Sequence, residues 1–402
     1  MNTQTASAVI DKGNGMQLTP PARELLEIFQ RLVAGWRTTA ASSGLTDVRV
    51  VAAALFDDEG KLVLSTSPMG LANLSSIATE VRRSFPALKS GQTVITNDPA
   101  AGGRSVQTFY MARRSTAVAD FTLILQFPTV DFGGETLGDF YPAAREVWAE
   151  GARVSPCLFA DELGHDGPLL ELLGLNSRIP LVFSSDVLTA VECLARADSD
   201  LAALAADSDL HQLIDDTIVT SRALVADLLP ALAESTFEGS VAVDPGCGTS
   251  ASATVTLSIR SQDGDLKLDF SQSEESPESY VNSYLASTRS AALLPLAVSL
   301  PVPLWNQSLL DSIVVLTEAG SVVDARLPRA AGWAPYGVAR AIAGLVSKAC
   351  GQSGAATAKW APWVADPIFR FVTPHCVCER CEQPSRRDPE DYASMYVPSL
   401  IA

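Results

Sequence analysis

The chain has 402 residues, with 29 Lys and Arg against 46 Asp and Glu, a formal net charge of −17, and 47% hydrophobic residues. A chain longer than about 250–300 residues is expected to form more than one domain, and the apolar fraction argues against extensive disorder. The acidic balance argues against nucleic acid or an anionic membrane as a partner.

Helical and strand-like periodicities alternate along the chain. Apolar residues at helical spacing predict helices over 21–41, 71–87, 168–175, 187–235, 281–299 and 335–350. Alternating apolar residues predict strands over 92–96, 116–127 and 312–316, and hairpins around Gly-containing turns over 48–65 and 250–270. The pattern predicts a mixed α+β fold.

We divide the sequence into four regions at shifts in composition and periodicity. A flexible N-terminus is predicted over 1–20, and an α/β region with a helical segment over 21–235. A β-hairpin plus helix region follows over 236–350, and a more polar, Cys-bearing tail covers 351–402. The fold is therefore predicted to be multi-domain.

The apolar stretch over 290–310 carries no charge and is long enough to span a bilayer. Pro295, Pro301 and Pro303 interrupt it, so we predict a buried helix that runs into a proline-rich loop, without membrane association. The N-terminus lacks the basic start and long apolar core of a signal peptide.

Four cysteines are scattered, mostly among apolar or small neighbours, which is typical of inert core residues in a reducing compartment. We therefore predict a cytoplasmic protein. These cysteines are Cys157, Cys193, Cys247 and Cys350.

Common catalytic and nucleotide motifs are weak in this sequence. It contains no Gly-x-x-x-x-Gly-Lys phosphate loop, and the dinucleotide-like letters at 246–251 precede a strand-like run where a helix would be required. His165 lies in a polar loop and His211 on a helical run, and neither has an obvious nucleophile nearby. We therefore predict neither nucleotide binding nor a serine-type triad.

The tail carries a compact set of soft-metal ligands. His375, Cys376, Cys378 and Cys381 lie within seven residues. Cys-x-x-Cys spacing lets two thiolates reach one tetrahedral ion, and Cys-x-Cys adds a third, which predicts a structural Zn²⁺ site. His375 adjoins Cys376, so the fourth ligand could come from elsewhere. The alternatives are a reduced cluster without metal and an iron–sulfur cluster.

Six short segments follow one another along the chain. They are ALFDDEGKLV at 54–63, ITNDPAAGG at 95–103, DFGG at 131–134, EGARVSP at 150–156, DFSQS at 269–273 and NSYLASTRSA at 282–291. Together they resemble the hydantoinase B/oxoprolinase family, over about residues 20–350. The resemblance implies a hydantoinase B-like scaffold and membership of ATP-dependent cyclic-amide hydrolase or ketone carboxylase systems.

The chain departs from the family pattern at the family's metal-binding segments. A His-x-x-Asp segment is expected after the first Gly-Gly, but Ser105 and Thr108 stand at the histidine and aspartate positions. The second segment has Pro128 and Thr129 in place of histidines. A hydroxyl is a poor substitute for an imidazole, and proline has no ligating side chain. We therefore predict that the inherited metal site is lost.

Scaffold residues of the pattern persist, among them Asn97, Asp98 and Asp131 and the glycines beside them. The resemblance then predicts a non-catalytic or altered subunit of a heteromeric, ketone carboxylase-like complex. ATP would bind a hydantoinase A-like partner. Alternatives are a subunit of a cyclic-amide hydrolase, a self-sufficient hydrolase built around Asp98, Asp131 or His165, and a zinc-stabilised interaction module.

Overall fold

The structure, a computed structural model, describes most of the chain up to residue 353. The described residues are 8–11, 15–46, 48–116, 118, 120–136, 141–161, 164–165, 167–233, 236–243, 252–262, 265–300, 305–332, 334–335 and 337–353. The predicted ligands His375, Cys376, Cys378 and Cys381 lie outside these residues, so the zinc site stays a prediction.

Helices account for every helical segment expected from the sequence. In chain order they are α1 (Pro20–Thr39), α2 (Leu71–Ser84), α3 (Val147–Glu150), α4 (Gly167–Gly174), α5 (Pro180–Asp207), α6 (Leu210–Ala233), α7 (Leu285–Ala297), α8 (Gln307–Asp311) and α9 (Val338–Ser353). Two helices occupy the helical stretch expected over 187–235, because extended Ser208 separates α5 from α6. The Asp209 side chain accepts a hydrogen bond from the Gln212 N–H and so caps the new helix.

A seven-stranded antiparallel sheet forms the centre of the N-terminal half, in the spatial order β4-β3-β7-β6-β5-β8-β9. Its strands are β3 (Ala52–Phe56), β4 (Leu62–Ser65), β5 (Thr93–Thr96), β6 (Thr108–Arg114), β7 (Thr122–Pro128), β8 (Cys157–Asp161) and β9 (Gly164–His165).

A second sheet has four strands in the order β10-β11-β12-β13, with the last pair parallel. These strands are β10 (Phe237–Val243), β11 (Ala253–Gln262), β12 (Asp265–Asp269) and β13 (Ile313–Leu316). A separate hairpin joins β1 (Ala8–Asp11) to β2 (Gly15–Leu18), in part of the region expected to be flexible. The four-region division itself stays a prediction.

The strand expected over 116–127 begins later and follows an unexpected strand, β6. A tertiary contact explains the difference. The buried carboxylate of Asp198 on α5 accepts hydrogen bonds from the Thr116 N–H at 2.9 Å, the Thr116 hydroxyl at 2.7 Å and the Ser115 hydroxyl at 2.5 Å. These bonds hold residues that would otherwise extend the strand in a turn. Residues 48–50 likewise form a 3₁₀ turn before β3.

Both faces of the seven-stranded sheet are covered, so its central strands are apolar without alternation. On β3, Ala54 and Phe56 pack in one apolar cluster with α2, α7, α9 and the four-stranded sheet. Ala53 and Leu55 point to the opposite face, where α1 and α5 form a second cluster. The sheet therefore lies between two apolar layers and fixes the loops at its ends.

The apolar stretch over 290–310 is not one continuous helix. Helix α7 ends at Ala297, contains Pro295 and is largely buried, as the sequence predicts. Among the helices that the described ranges contain, none has the length together with the apolar character needed to cross a bilayer.

Candidate functional site

The loop over 97–107, the loop over 131–134 and the segment over 150–156 meet at one end of the seven-stranded sheet. Residue Thr108 at the start of β6 pairs with Pro128 at the end of β7, so the two segments that depart from the family pattern are neighbours. Beside this pair lies a pocket of about 40 Å³. The residues that line it include Arg104, Ser105, Gln107, Thr108, Pro128 and Glu150.

Four positions of this chain differ from the metal-binding segments of the family pattern, and three of them line this pocket, namely Ser105, Thr108 and Pro128. The Ser105 hydroxyl lies 3.2 Å from the Thr108 hydroxyl, and Pro128 forms an apolar wall. Thr129 is buried, with 2% of its surface exposed, and its hydroxyl has no hydrogen-bond partner within the described ranges. The first segment therefore presents a hydroxyl pair where the family pattern has a histidine and an aspartate.

Asn97 is a positioning residue for the loops around the pocket. It is fully buried, and its amide donates hydrogen bonds to the carbonyls of Val106 at 2.6 Å and Ala152 at 2.8 Å. Its oxygen accepts the Val154 N–H at 2.6 Å. Because the amide is used on both sides, Asn97 ties the 97–107 loop to the 150–156 segment.

Gln107, which lines the pocket, also joins two segments through both ends of its side-chain amide. Its side-chain amide donates to the carbonyls of Glu150 at 3.0 Å and Phe132 at 3.3 Å, and its oxygen accepts the Phe132 N–H at 2.9 Å. The 131–134 loop is therefore held against Glu150 by one side chain. Gln107 was not among the residues predicted from the sequence.

Asp98, a candidate base in the hydrolase hypothesis, is already engaged. Its carboxylate accepts the Ala100 N–H at 2.9 Å and so caps a 3₁₀ turn over 99–101. It also forms an ion pair with Arg153 at 3.2 Å and accepts a hydrogen bond from the Ser155 hydroxyl at 3.2 Å. A carboxylate with these partners is a structural anchor and a poor candidate for a general base.

Asp131 lies apart from this network, in a left-handed backbone conformation with φ 48°. Arg178 approaches its carboxylate at 3.9 Å and donates to the carbonyls of Gly133 at 3.0 Å and Gly134 at 2.7 Å. Arg178 therefore fixes the loop. His165, the third residue of the hydrolase hypothesis, lies on the edge strand β9. Asp98 and Asp131 thus have separate partners, and neither lines the pocket.

Glu150 is the buried acid of the site. Its carboxylate accepts the N–H of Ala331 at 3.0 Å and the N–H of Gly332 at 2.5 Å. Burial raises the pKa of Glu150 to about 7, although the two hydrogen bonds oppose the rise. A buried acid in a pocket that titrates near neutrality is a candidate for proton transfer or ligand binding.

Glu150 lies in the EGARVSP segment, but no role was predicted for it from the sequence. The one signal in the sequence was its position directly after the apolar run Val147-Trp148-Ala149. A carboxylate at the end of such a run is either exposed to solvent or, less commonly, buried with specific partners. Its partners lie about 180 residues further along the chain, so only the tertiary structure shows its burial.

Tyr284 brings a fourth segment to the same region. Its hydroxyl donates to the Arg329 carbonyl at 2.9 Å. Burial raises the pKa of Tyr284, and the nearby carboxylates of Glu150 and Asp98 raise it further. The phenol therefore stays neutral beside the buried acid.

Trp148 is about half exposed, and the guanidinium carbon of Arg153 lies over its ring, 5.8 Å from the ring centroid.

The pocket does not fit a divalent transition metal. Across the part of the chain that the structure describes, no group of three or more His, Cys, Asp or Glu side chains could hold an ion. The pocket offers two hydroxyls, one carboxyl group and a guanidinium, and transition metals bind imidazole and thiolate in preference to hydroxyls. The predicted loss of the inherited metal site accords with these residues and stays a prediction.

Comparisons with known proteins connect this fold to one family. The model of the family described as hydantoinase B/oxoprolinase matches residues 22–374. A curated 5-oxoprolinase from Pestalotiopsis fici is 26% identical over 160 residues, which are 38% of this chain and 12% of that protein.

Two solved structures share the fold. The ATP-dependent caprolactamase from Pseudomonas jessenii superposes with a TM-score of 0.70 at 20% identity, over 83% of this chain and 59% of that one. The nucleotide-free acetone carboxylase structure superposes with a TM-score of 0.70 at 12% identity, over 80% of this chain and 46% of that one. The chain thus spans about half the length of these two proteins. The predicted mixed α+β, hydantoinase B-like scaffold is confirmed.

Proposed function

Because the chain belongs to the hydantoinase B/oxoprolinase family, we propose that it is a non-catalytic or altered hydantoinase B-like subunit of a heteromeric complex. The complex would be an ATP-dependent carboxylase of the ketone carboxylase type. A hydantoinase A-like partner would bind ATP, since this sequence has no phosphate-binding motif. The chain's own part would be to complete the assembly.

One observation carries the proposal. The family scaffold is kept to the level of its loop anchors, yet the pocket between the loops has hydroxyls and proline where metal ligands are expected. Asn97 and Gln107 still hold the three loops together through hydrogen bonds of 2.6–3.3 Å. Retention of the scaffold with altered chemistry favours a role in assembly over independent catalysis.

Co-purification tests this proposal. We expect a tagged full-length chain, co-expressed with candidate hydantoinase A-like subunits from its source, to form a stable complex of defined mass. We expect ATP hydrolysis coupled to ketone carboxylation only when both subunits are present. A matched control omits the partner. A monomeric chain that hydrolyses a cyclic amide alone would contradict the proposal and support the self-sufficient hydrolase.

The same complex discriminates the alternative activity. Caprolactamase shares this fold, so a cyclic-amide hydrolase subunit is the second candidate. Lactam or hydantoin opening by the assembled complex, without bicarbonate, would identify that activity. Carboxylation of a ketone, dependent on bicarbonate, would identify the first.

We also propose that the tail binds one structural Zn²⁺ through Cys376, Cys378 and Cys381, with His375 or another residue as the fourth ligand. Such a site could stabilise a docking segment for a partner subunit. This proposal is supported by ligand type and spacing alone.

Elemental analysis tests the zinc proposal. We expect about one zinc per purified wild-type chain and a substantial loss of zinc in Cys378→Ser, because a structural site needs its full tetrahedral ligand set. Cys193→Ser is the matched control, since Cys193 is a buried core residue on α5. Equal zinc content in wild type and Cys378→Ser would contradict a tail site.

A further inference from the structure

Arg104 is an uncompensated positive charge on the pocket wall. It is half-buried and lines the pocket beside Ser105. Within the described ranges its guanidinium has no ion pair or hydrogen bond, whereas Arg153 and Arg178 each have a carboxylate partner. In a chain of net charge −17, a half-buried arginine without a carboxylate partner is an unusual placement.

The other ionisable groups nearby do not neutralise Arg104. Glu150 lines the same pocket, but it forms no ion pair with Arg104 among the described residues, and burial favours its uncharged, protonated form. The phenol of Tyr110 is buried and accepts a hydrogen bond from the backbone N–H of Arg104, and burial raises the pKa of Tyr110 above its ordinary value, so the phenol is neutral. Arg104 therefore lines the pocket with a positive charge that no carboxylate pairs with among the described residues.

Hydrogen-bond donors lie beside this charge. The Ser105 and Thr108 hydroxyls lie 3.2 Å apart, so one donates to the other and leaves the second hydroxyl proton available. Apolar walls from Val106 and Pro128 lower the local dielectric and strengthen a charge–charge contact. A guanidinium with adjacent hydroxyl donors is suited to a carboxylate.

The size of the pocket limits the ligand. About 10–15 Å³ of such space holds one water, so the 40 Å³ pocket admits a group of about three non-hydrogen atoms. A carboxylate has this size, whereas a phosphate ester or nucleotide does not.

We propose that the pocket binds a small planar oxyanion. The Arg104 guanidinium and the Ser105–Thr108 hydroxyl pair hold its carboxylate group. The position that the family pattern gives to a cation would then hold an anion. The inference rests on the proposed function in one respect, the loss of the metal ligands. An organic carboxylate and bicarbonate both present this group, so both are candidate ligands.

Calorimetric titration of the full-length chain tests the inference. We expect formate and bicarbonate to bind with saturation in the millimolar range or below, and sulfate and methylammonium not to bind. Arg104→Gln should weaken binding by about 10- to 100-fold, the effect of removing hydrogen bonds to a charged group. Arg340→Gln is the matched control, because Arg340 is exposed on α9, and its affinity should equal that of wild type.

Further variants separate binding from folding. Arg104→Lys keeps the charge and loses the planar fork, so it should bind with intermediate affinity even if Arg104→Gln proves unstable. Tighter binding of bicarbonate than of formate would identify bicarbonate as the source, and the reverse order would identify an organic carboxylate. Equal affinity in wild type, Arg104→Gln and Arg104→Lys would overturn the inference, and so would a wild-type chain that binds neither anion. The titration uses the chain alone, so its failure is distinct from a failure to co-purify with a partner.

Discussion

Gly102→Ala is expected to lower the free energy of unfolding by about 4 kcal/mol, the sum of backbone strain and overpacking. Gly102 ends the 3₁₀ turn over 99–101 with φ 112°, a conformation that L side chains rarely adopt. An added Cβ would lie 2.3 Å from the Ser76 Cβ and 3.2 Å from the backbone nitrogen of Ile77, both on α2. Helix backbone cannot give way as a flexible side chain can.

The matched control is Gly320→Ala. Gly320 also has a positive φ, 87°, but no atom of the described residues lies within 4 Å of an added Cβ. We expect a loss of about 1–2 kcal/mol there, from strain alone. Urea denaturation followed by circular dichroism measures both variants. Equal losses at the two positions would show that contact with α2 does not constrain the loop.

The position of Gly102 makes this result relevant to the site. Its carbonyl accepts a hydrogen bond from the buried Asn73 side chain at 2.8 Å, and Asn73 also bonds to Ser290 on α7 at 2.8 Å. The loop that carries Arg104 and Ser105 is therefore anchored to two helices. We expect Gly102→Ala to weaken anion binding as well as stability, whereas Gly320→Ala leaves binding unchanged.

Local sequence patterns predicted the regular elements well. Helix α1 begins where Pro20 and Pro21 favour a helix start, and it buries the apolar residues that follow at helical spacing. The β3–β4 hairpin was predicted from its Gly60 turn, which has φ 81°. These features depend on neighbours within a few residues, so the sequence is sufficient.

Features that depend on distant contacts were missed or displaced. Strand β7 begins late because Asp198, 82 residues away, holds Thr116 in a turn. Glu150 is buried by residues 181 and 182 positions away. Family motifs placed Ser105 and Thr108 at altered positions, but only the tertiary structure shows that they share a pocket with Arg104 and Glu150.

Glu150→Gln is expected to remove a component of stability that depends on pH. The pKa of Glu150 is about 7 in the folded protein and 4.5 in the unfolded reference, so the folded state binds the proton more tightly. Between these two values the unfolded chain releases the proton and the folded chain keeps it. The contribution of Glu150 to the free energy of unfolding therefore falls by about 3 kcal/mol as pH rises from about 4.5 to 7, and is constant above that window.

The measurement compares wild type and variant at each pH, so that contributions from other carboxylates cancel. We expect wild type minus Glu150→Gln to decrease by about 3 kcal/mol between pH 4.5 and 7.5. Glu146→Gln is the matched control, because it removes an exposed carboxyl four residues earlier. The same trend in both variants, or a difference of the opposite sign, would contradict the assignment.

The sign of this effect distinguishes two views of Glu150. An ionised carboxylate held only by the N–H groups of Ala331 and Gly332 would stabilise the fold as pH rises, since such hydrogen bonds favour the charged form. Burial produces the opposite trend, and neutral Tyr284 beside it cannot compensate the charge. A stability that falls through pH 4.5–7 would therefore show that Glu150 is protonated at mildly acidic pH. In that form it can donate a hydrogen bond to an oxyanion beside Arg104, and formate affinity should weaken as pH rises through about 7 in wild type but not in Glu150→Gln.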